Sequence, residues 1–280
     1  MPCIFFSFTR VHKHLLDSKR VSALKAYLDP IASRYESAAF IQDDPISIPH
    51  GFSERDDREI IGLFAALLAW GRRDVMLRKL GELCERMSFK PASFVHNYRS
   101  SRDRDKIEGF VHRTFNAADL DGILISLNKM LEGRSLEEAF SEGMDPDDPV
   151  RSGIESFSQR LYNGVPGRPQ RIKQHIARPS TGSACKRFNM YLRWMVRKGP
   201  VDLGLWDIIR ADELHLPLDV HSGTQARAMG LLERRSNDWK SVDILTENCR
   251  AMDRDDPCKY DFALFGAGAA GEILTIPESY

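Results

Sequence analysis

Apolar residues recur along most of this chain at the spacing of one face of an α-helix. The clearest case follows Ser53-Glu-Arg-Asp56, which resembles a helix N-terminal capping sequence. After it, and before Trp70-Gly71, the apolar positions are Ile60, Ile61, Phe64, Leu67 and Leu68. This pattern predicts an amphipathic helix that ends near Trp70.

The same periodicity predicts nine further helices, and prolines separate many of them, as expected of a residue that cannot continue a helix. Their predicted ranges are 20–35, 73–87, 117–131, 149–162, 169–177, 183–198, 220–232, 239–252 and 258–267. No segment shows the convincing polar–apolar alternation of a strand. Many helices of moderate length with short connections predict an all-α, non-bundle globule.

Length and composition fit an ordinary globular protein: 280 residues, 42% of them hydrophobic and 29% charged. We expect one domain over 15–275, preceded by a flexible tail at 1–14. No apolar run approaches the roughly 20 residues that span a membrane, so no membrane partner is expected. The five scattered cysteines form no Cys-x-x-Cys pair, which favours a reducing cytoplasm over disulfides or zinc.

Basic residues are concentrated in one segment, although 40 Lys and Arg balance 40 Asp and Glu overall. Between Ser156 and Val201 there is no acidic residue but ten basic ones. This segment predicts a face that binds phosphate, as on a nucleic acid. An ordinary solvated basic face is the alternative. The predicted contacts, including the small-residue turn at 179–183, are Lys173, Arg178, Thr181, Gly182, Ser183, Arg187 and Arg193.

Lys186 is the candidate nucleophile of this segment. It stands near the start of a predicted helix whose apolar stripe is formed by Phe188, Tyr191, Leu192 and Met195. At 100° per residue, Lys186 falls on the opposite side with Met190, Arg193 and Arg197, which predicts that these four side chains lie off the core. Most lysines in such positions are simply solvated.

Asp219 is the candidate partner of Lys186. It follows Leu216-Pro-Leu218 and begins a predicted helix, where its simplest role is that of an N-cap. Capping is compatible with chemistry, because a fixed carboxylate anion also stabilises a developing oxocarbenium ion. An amine and a carboxylate, each at a helix start, are the groups needed for attack on a sugar carbon.

Two segments carry a resemblance to a known superfamily. The run from Leu216 to Leu231 (Leu-Pro-Leu-Asp-Val-His-Ser-Gly-Thr-Gln-Ala-Arg-Ala-Met-Gly-Leu) resembles the aspartate motif of the helix-hairpin-helix DNA glycosylases. The run from Cys185 to Val196 is similar to the lysine-bearing helix of the archaeal 8-oxoguanine glycosylase branch. Nearly the whole chain also resembles a bacterial family of uncharacterised proteins of that superfamily. The matching pieces are 44–50, Ala69-Trp-Gly-Arg72, 109–115 and Asp261-Phe-Ala-Leu-Phe265.

The resemblance implies a two-lobed helical glycosylase fold and a protein that acts on DNA with a damaged base or an abasic site. It implies that Lys186 is the Schiff-base nucleophile and Asp219 its electrostatic partner, in a combined glycosylase and AP lyase. A flipped base would enter a pocket between the lobes. The candidates to contact that base or the gap it leaves are Trp70, Arg72, Phe110, His112, Phe115 and His221.

The protein is expected to act as a monomer.

Two departures from the superfamily pattern change the expectations. Its usual hairpin sequence is Leu-Pro-Gly-x-Gly, whereas only Gly182 stands in the turn from Pro179 to Ser183, which weakens the prediction of DNA-backbone binding there. The four-cysteine iron–sulfur motif of some relatives is absent, so no cluster and no other cofactor is expected.

Two alternatives remain open at this point. A non-catalytic nucleic-acid-binding protein would keep the fold and the basic segment but would not need Lys186. A metalloenzyme is the weaker alternative, because His12-Lys-His14 lies in the predicted tail and no His-Glu-x-x-His or similar spacing exists. No metal site is therefore predicted.

Overall fold

The computed structural model describes residues 16–275. The predicted tail at 1–14, with His12 and His14, lies outside the described residues. Within them the chain is mostly helical, which confirms the all-α class. The helices are α1 (Ser18–Tyr35), α2 (Ala38–Ile41), α3 (Ser47–His50), α4 (Arg55–Leu67), α5 (Arg73–Arg86), α6 (Pro91–Asn97), α7 (Ser100–Ile107), α8 (Ala117–Met130), α9 (Leu136–Ser141), α10 (Pro149–Gly164), α11 (Lys186–Val196), α12 (Val220–Ala228), α13 (Trp239–Met252) and α14 (Tyr260–Ala269).

Several elements differ from the prediction. The chain forms a small antiparallel hairpin, β1 (Val111–His112) and β2 (Phe115–Asn116), which is too short to show an alternating pattern. The range 169–177 contains a 3-10 turn over Gln170–Gln174 and not an α-helix. The expected Ser53 cap of α4 is wrong, because the N-cap residue is Glu54 and makes no side-chain capping bond. Helices α2, α3, α6, α7 and α9 were not predicted.

The buried apolar side chains form a continuous core, and the helices around it fall into two groups. In one group α14 packs against α1 and α12, and α1 also contacts α13. In the other, α8 packs against α6, α7 and α10. Helix α11 packs against α4, and every residue from Phe188 to Val196 is buried. Among residues 16–275, no helix is both long enough and apolar enough to cross a bilayer.

The burial of α11 corrects the predicted position of three side chains. Met190, Arg193 and Arg197 are buried, although helical spacing placed them off the core. The two arginines are buried together with carboxylates: Arg193 pairs with Asp202 and Asp261, and Arg197 with Glu36, Asp202 and Asp256. A buried cation requires such partners. The polar face of α11 therefore faces an internal ion-pair network, not solvent.

Candidate active site

Lys186 and Asp219 come together in the structure. The Lys186 Nζ lies 3.7 Å from the Asp219 Oδ2, and both side chains are about three-quarters buried, with 25% and 21% exposed. Each residue stands at the start of its helix: Lys186 is the first residue of α11, and Asp219 is the N-cap of α12. The predicted convergence of the amine and the carboxylate is thus present.

Both side chains line a cavity of about 650 Å³, which lies within the usual size range of small-molecule sites. Five structural regions contribute: the α2–α3 connection, the α4–α5 connection with the start of α5, helix α11, the start of α12, and α14. The lining residues are Phe40, Asp44, Pro45, Ala69, Trp70, Gly71, Arg73, Met76, Lys186, Met190, Arg193, Pro217, Asp219, Val220, His221, Asp261, Phe265 and Ala269. Aromatic and apolar walls therefore surround a few charged groups.

The Asp219 carboxylate is held by the start of its own helix. Its Oδ1 accepts hydrogen bonds from the Ser222 amide at 3.0 Å and from the Ser222 hydroxyl at 3.2 Å. The Ser222 hydroxyl in turn lies 2.9 Å from the Asp219 amide, which completes a reciprocal cap. This confirms the predicted N-cap. Because the cap uses only Oδ1, the same residue presents Oδ2 to Lys186.

The Lys186 amine lies against an aromatic ring as well as a carboxylate. Its Nζ is 5.7 Å from the centre of the Phe265 ring, in the range of a cation–π contact. The preceding residue, Cys185, has a φ of 47°, a left-handed conformation that non-glycine residues rarely adopt. This turn directs the chain into α11 just before Lys186. The amine therefore contacts both the Phe265 ring and the Asp219 carboxylate.

Asp261 is a second carboxyl group of the cavity and is fully buried. One of its oxygens, Oδ2, binds the Arg193 guanidinium, while Oδ1 has no hydrogen-bond partner among the described residues. Burial raises the pKa of Asp261 to about 7, against the opposing effect of Arg193. The nearby Asp219 charge raises this pKa further, and Lys186 lowers it. The site therefore contains a second carboxyl group, which is ion-paired with Arg193 and whose pKa is raised by burial.

Asp44 is the third carboxyl group of the cavity. Its side chain is buried, and its Oδ1 accepts a hydrogen bond from the Ile46 amide at 3.0 Å. Burial raises the pKa of Asp44, and the bond from Ile46 opposes this shift. Arg73 lines the same cavity and is exposed at its edge. Among residues 16–275, no group of three His, Cys, Asp or Glu side chains has the arrangement of a metal site.

Two of the six predicted base-contacting residues line the cavity. Trp70 is half-buried there, and its carbonyl oxygen lies 3.0 Å from the His112 Nε2. His221 is exposed at the cavity, with Nδ1 3.2 Å from the Gly268 carbonyl and its ring edge-on to Phe265. These placements agree with a contact to a bound ligand, which stays a prediction.

The other four predicted base contacts do not line the cavity. Phe110 and Phe115 are core residues packed edge to face against each other. His112 is also buried, and burial lowers its pKa. Its ring packs edge-on against Trp70. Arg72 is largely exposed and pairs with Asp74 at 2.7 Å. The prediction of direct base contact is therefore wrong for Phe110, His112 and Phe115, since the apolar surroundings bury them, and Arg72 lies outside the cavity.

The basic segment is not a free cationic face, because acidic residues from elsewhere in the chain pair with most of it. Arg193 is buried in the ion-pair network, so the prediction of a surface phosphate contact is wrong for this residue. Arg187 is half-buried and donates to the carbonyls of Leu67 and Gln174, both at 2.7 Å. Arg178 lies 3.5 Å from Glu155. Lys173 is exposed above the Tyr162 ring.

The turn before α11 satisfies several of its own donors. The amides of Thr181 and Gly182 donate within the turn, and the Ser180 amide donates to Glu155. Gly182 has a φ of 80°, which explains a glycine at this position. Ser183 is half-buried, and its hydroxyl accepts from the Cys185 amide at 3.2 Å. Thr181 and Gly182 are exposed, but the amides of both and the Thr181 hydroxyl already donate within the turn.

Sequence reasoning missed several cavity residues whose roles depend on tertiary contacts. These are Phe40, Asp44, Arg73, Asp261 and Phe265. A signal for three of them was present, because the segments that begin at Asp44 and span Asp261 to Phe265 were among the pieces that match the uncharacterised bacterial family. A carboxylate in an otherwise apolar segment such as Asp261-Phe-Ala-Leu-Phe265 is a candidate functional group.

Comparison with known proteins places the chain in a family. The model of the family described as "Protein of unknown function (DUF2400)" matches residues 44–270, and the chain belongs to this family. The match spans every region that lines the cavity except Phe40. No curated protein and no solved structure matches the chain.

Proposed function

We propose that the protein is a DNA glycosylase and AP lyase that forms a Schiff base through Lys186. The observation that carries this proposal is the 3.7 Å approach of the Lys186 Nζ to the Asp219 Oδ2 inside a cavity with aromatic walls. An amine beside a fixed anion in a concave, largely buried site suits nucleophilic attack on a carbon that develops positive charge. The resemblance of the two helix starts to those of helix-hairpin-helix glycosylases adds to this support.

In this proposal each residue of the pair has a separate task. The lone pair of the neutral Lys186 amine forms a bond to C1′ of the sugar while the bond from C1′ to the base breaks. The Asp219 carboxylate stabilises the positive charge that develops on the sugar. The bond from C1′ to O4′ then breaks, one of the two protons on the nitrogen moves to O4′, and a protonated imine between Lys186 and C1′ is left. Loss of a proton from C2′ then breaks the bond from C3′ to oxygen, and the 3′ phosphate leaves with that electron pair.

The cavity walls suit a planar, extruded base. Trp70, Phe40 and Phe265 line the same space, and aromatic side chains bind a flipped base by stacking. Val220 is 74% exposed beside Asp219, although it is apolar. An exposed apolar side chain next to the reacting carboxylate fits contact with the sugar or base of a bound nucleotide.

Contacts to the DNA backbone come, in this proposal, from the segment that precedes α11. Thr181 and Gly182 of the turn and Lys173 further upstream are exposed, and Arg178 is half-buried. The amides of Thr181 and Gly182 already donate within the turn, so the cations are the groups that bind phosphate without reading sequence. The pairing of Arg178 with Glu155 means that DNA must replace this partner to use the arginine.

Borohydride trapping on DNA with a single preformed abasic site tests the proposal. An imine between Lys186 and the abasic aldehyde is reduced to a stable amine, so protein and DNA migrate together on a denaturing gel. We expect the wild type and Lys129→Ala to be trapped and Lys186→Ala to give no adduct. Lys129 is a matched control, because it is an exposed lysine of α8 outside the cavity.

The outcomes separate the two functional classes. An adduct that requires Lys186 supports the enzyme. Binding to the same DNA in a gel-shift assay with no adduct supports the non-catalytic nucleic-acid-binding protein. An adduct that forms equally with Lys186→Ala contradicts the assignment of the nucleophile.

A further inference from the structure

The rim of the cavity carries two exposed arginines, which we call the rim arginines. Arg73, the first residue of α5, lines the cavity, and Arg113 lies in the two-residue turn between β1 and β2. Neither forms an ion pair with any of residues 16–275. The other Lys and Arg side chains that line the cavity, Lys186 and Arg193, are both paired with carboxylates. A guanidinium without such a partner at the edge of a site can bind an anionic ligand.

The Arg113 side chain lies across the connection from α4 to α5. A Cβ on Gly71 would be 2.9 Å from the Arg113 Cδ, so this side chain passes directly over the backbone of the glycine. The Arg113 guanidinium lies 5.7 Å from the centre of the Trp70 ring, in the range of a cation–π contact. Trp70 and Gly71 both line the cavity. The hairpin therefore places a cation against the cavity wall.

The backbone of the hairpin turn is unusual at the same residue. Arg113 has a φ of 55°, in the left-handed region. Such a position in a two-residue hairpin favours glycine, asparagine or aspartate, so turn formation alone does not explain an arginine there. Residues held in this region cluster at functional sites. His112 and Phe115 on either side of the turn are buried, which anchors the hairpin beneath the exposed arginine.

The elements that carry the rim arginines contact the basic segment that precedes α11. The Arg171 Nη2 donates to the Thr114 carbonyl of the hairpin turn at 3.0 Å. The Arg187 Nη1 donates to the Leu67 carbonyl at the end of α4 at 2.7 Å. The exposed Lys173 belongs to the same segment. The rim arginines thus adjoin the segment from which backbone contacts are already proposed.

Arg73 stands where the cavity meets a second hollow of about 470 Å³. Arg73 lines both spaces, as do Phe40, Asp44, Phe265 and Ala269. The carboxylates beside Arg73 have other partners: Asp44 accepts from the Ile46 amide, and Asp74 pairs with Arg72. A sugar held in the cavity carries its phosphates outward, and the Arg73 guanidinium is a free cation at this edge.

We propose that Arg73 and Arg113 bind phosphates of the DNA strand next to the nucleotide that enters the cavity. This inference rests on the proposed function and adds to it a second place of backbone contact. The fork of N–H groups on each guanidinium matches the oxygens of a phosphate. Contacts of this kind position a strand without reading its sequence.

The test measures binding separately from chemistry. A labelled duplex carries one tetrahydrofuran analogue of an abasic site, with which Lys186 cannot form an imine, and fluorescence anisotropy gives Kd at several salt concentrations. Arg73→Gln and Arg113→Gln keep the first part of each side chain but remove its charge. We expect Kd to rise by about tenfold for each variant, as for loss of one hydrogen bond to a charged group.

The salt dependence distinguishes a phosphate contact from a structural effect. Each phosphate contact adds about 0.9 to the slope of log K against log salt concentration, because counterions are released from the DNA. The slope should therefore become shallower by about 0.9 in each variant. A side chain that only supports Trp70 would change Kd and leave this slope as in the wild type.

Arg254→Gln is the matched control. Arg254 is exposed between α13 and α14, does not line the cavity, and forms no ion pair within residues 16–275. The substitution changes the net charge by the same amount, and it is expected to keep the wild-type Kd and slope. Urea unfolding of the three variants verifies that each is folded at the temperature of the assay.

Three results would overturn the inference. They are a wild-type salt slope in Arg73→Gln and Arg113→Gln, a loss of affinity in Arg254→Gln equal to theirs, or a change in only one of the two rim variants. A wild type that neither binds this duplex nor is trapped on abasic DNA would instead contradict the proposed function itself.

Discussion

Asp219 and Ser222 form a reciprocal cap in which the Ser222 amide donates to the Asp219 Oδ1 at 3.0 Å. The cap leaves Oδ2 facing Lys186, so one carboxylate serves the helix and the cavity together. Structural and chemical roles can therefore be separated by substitution at this residue.

Asp219→Asn is expected to keep the fold and lose activity. Asparagine caps a helix about as well as aspartate, so the free energy of unfolding should change by less than about 0.5 kcal/mol. Loss of the negative charge should slow Schiff-base formation by about 100-fold. Asp219→Ala removes the cap as well and should cost about 1 kcal/mol of stability. Urea unfolding and single-turnover trapping measure both effects. Trapping of Asp219→Asn at the wild-type rate would contradict the role of the charge.

Titration of the buried Asp261 should contribute to the pH dependence of stability. Its pKa is about 7 in the folded protein and near 3.8 in the unfolded chain, so the folded state binds the proton more tightly. This contribution to stability is complete below pH 3.8 and is lost as the pH rises through 7. Asp261→Asn lacks this loss. Its stability relative to the wild type should therefore improve by more than about 1 kcal/mol between pH 4 and pH 8. Urea unfolding at both values tests this, and a constant difference would contradict it.

Titration of His175 should change stability with pH in the opposite direction from titration of Asp261, over an overlapping pH range. His175 is buried, neither ring nitrogen has a hydrogen-bond partner among the described residues, and burial lowers its pKa from 6.5 to about 4. Its contribution to stability is present above pH 6.5 and is lost as the pH falls towards 4. His175→Phe keeps an aromatic ring against Trp70 and Phe115 but cannot titrate.

Comparison of His175→Phe with the wild type separates the titration of His175 from that of Asp261, because both proteins contain Asp261. Between pH 7.5 and pH 4.5, the wild type should lose more than about 1 kcal/mol relative to His175→Phe, at about 1.4 kcal/mol per pKa unit. Urea unfolding curves at the two values supply the measurement. Parallel changes in the two proteins would show that His175 is not the titrating group.

Two helical glycines should respond to alanine with opposite signs. A Cβ on Gly153 of α10 would lie 2.6 Å from the Phe140 Cε1 and 3.0 Å from the Met144 Cγ. Because Phe140 is fully buried, Gly153→Ala should destabilise by about 1–3 kcal/mol. Gly81 of α5 has nothing within 4 Å of the same position, so Gly81→Ala should stabilise by about 0.5–1 kcal/mol. Thermal and urea unfolding of the two variants test the packing, and the same sign for both would contradict it.

Local signals in the sequence were sufficient to predict the longer helices and to select Lys186 and Asp219 as a candidate pair. The helices around Lys186 and Asp219 begin within a few residues of their predicted starts, because the glycine turn and the aspartate cap are encoded locally. The hairpin of β1 and β2 was not predictable from alternation, since each strand has only two residues.

The errors in the predicted site come from tertiary contacts that periodicity does not contain. A single apolar stripe on α11 predicted an exposed opposite face, but carboxylates from 202, 256 and 261 pair with that face and allow it to be buried. Phe110 and Phe115 were candidate base contacts by residue type, but both side chains are buried in the core. Asp261 joins the cavity only because α14 packs against α12, a contact that the local sequence does not contain.

Peptide mapping of the trapped adduct identifies the nucleophile itself. The wild-type protein is reduced with borohydride on abasic-site DNA, the adduct is digested, and the modified residue is identified by mass spectrometry. We expect the sugar remnant to be attached to the Lys186 nitrogen. An adduct on another lysine, or no adduct under conditions in which the protein binds the DNA, would contradict it.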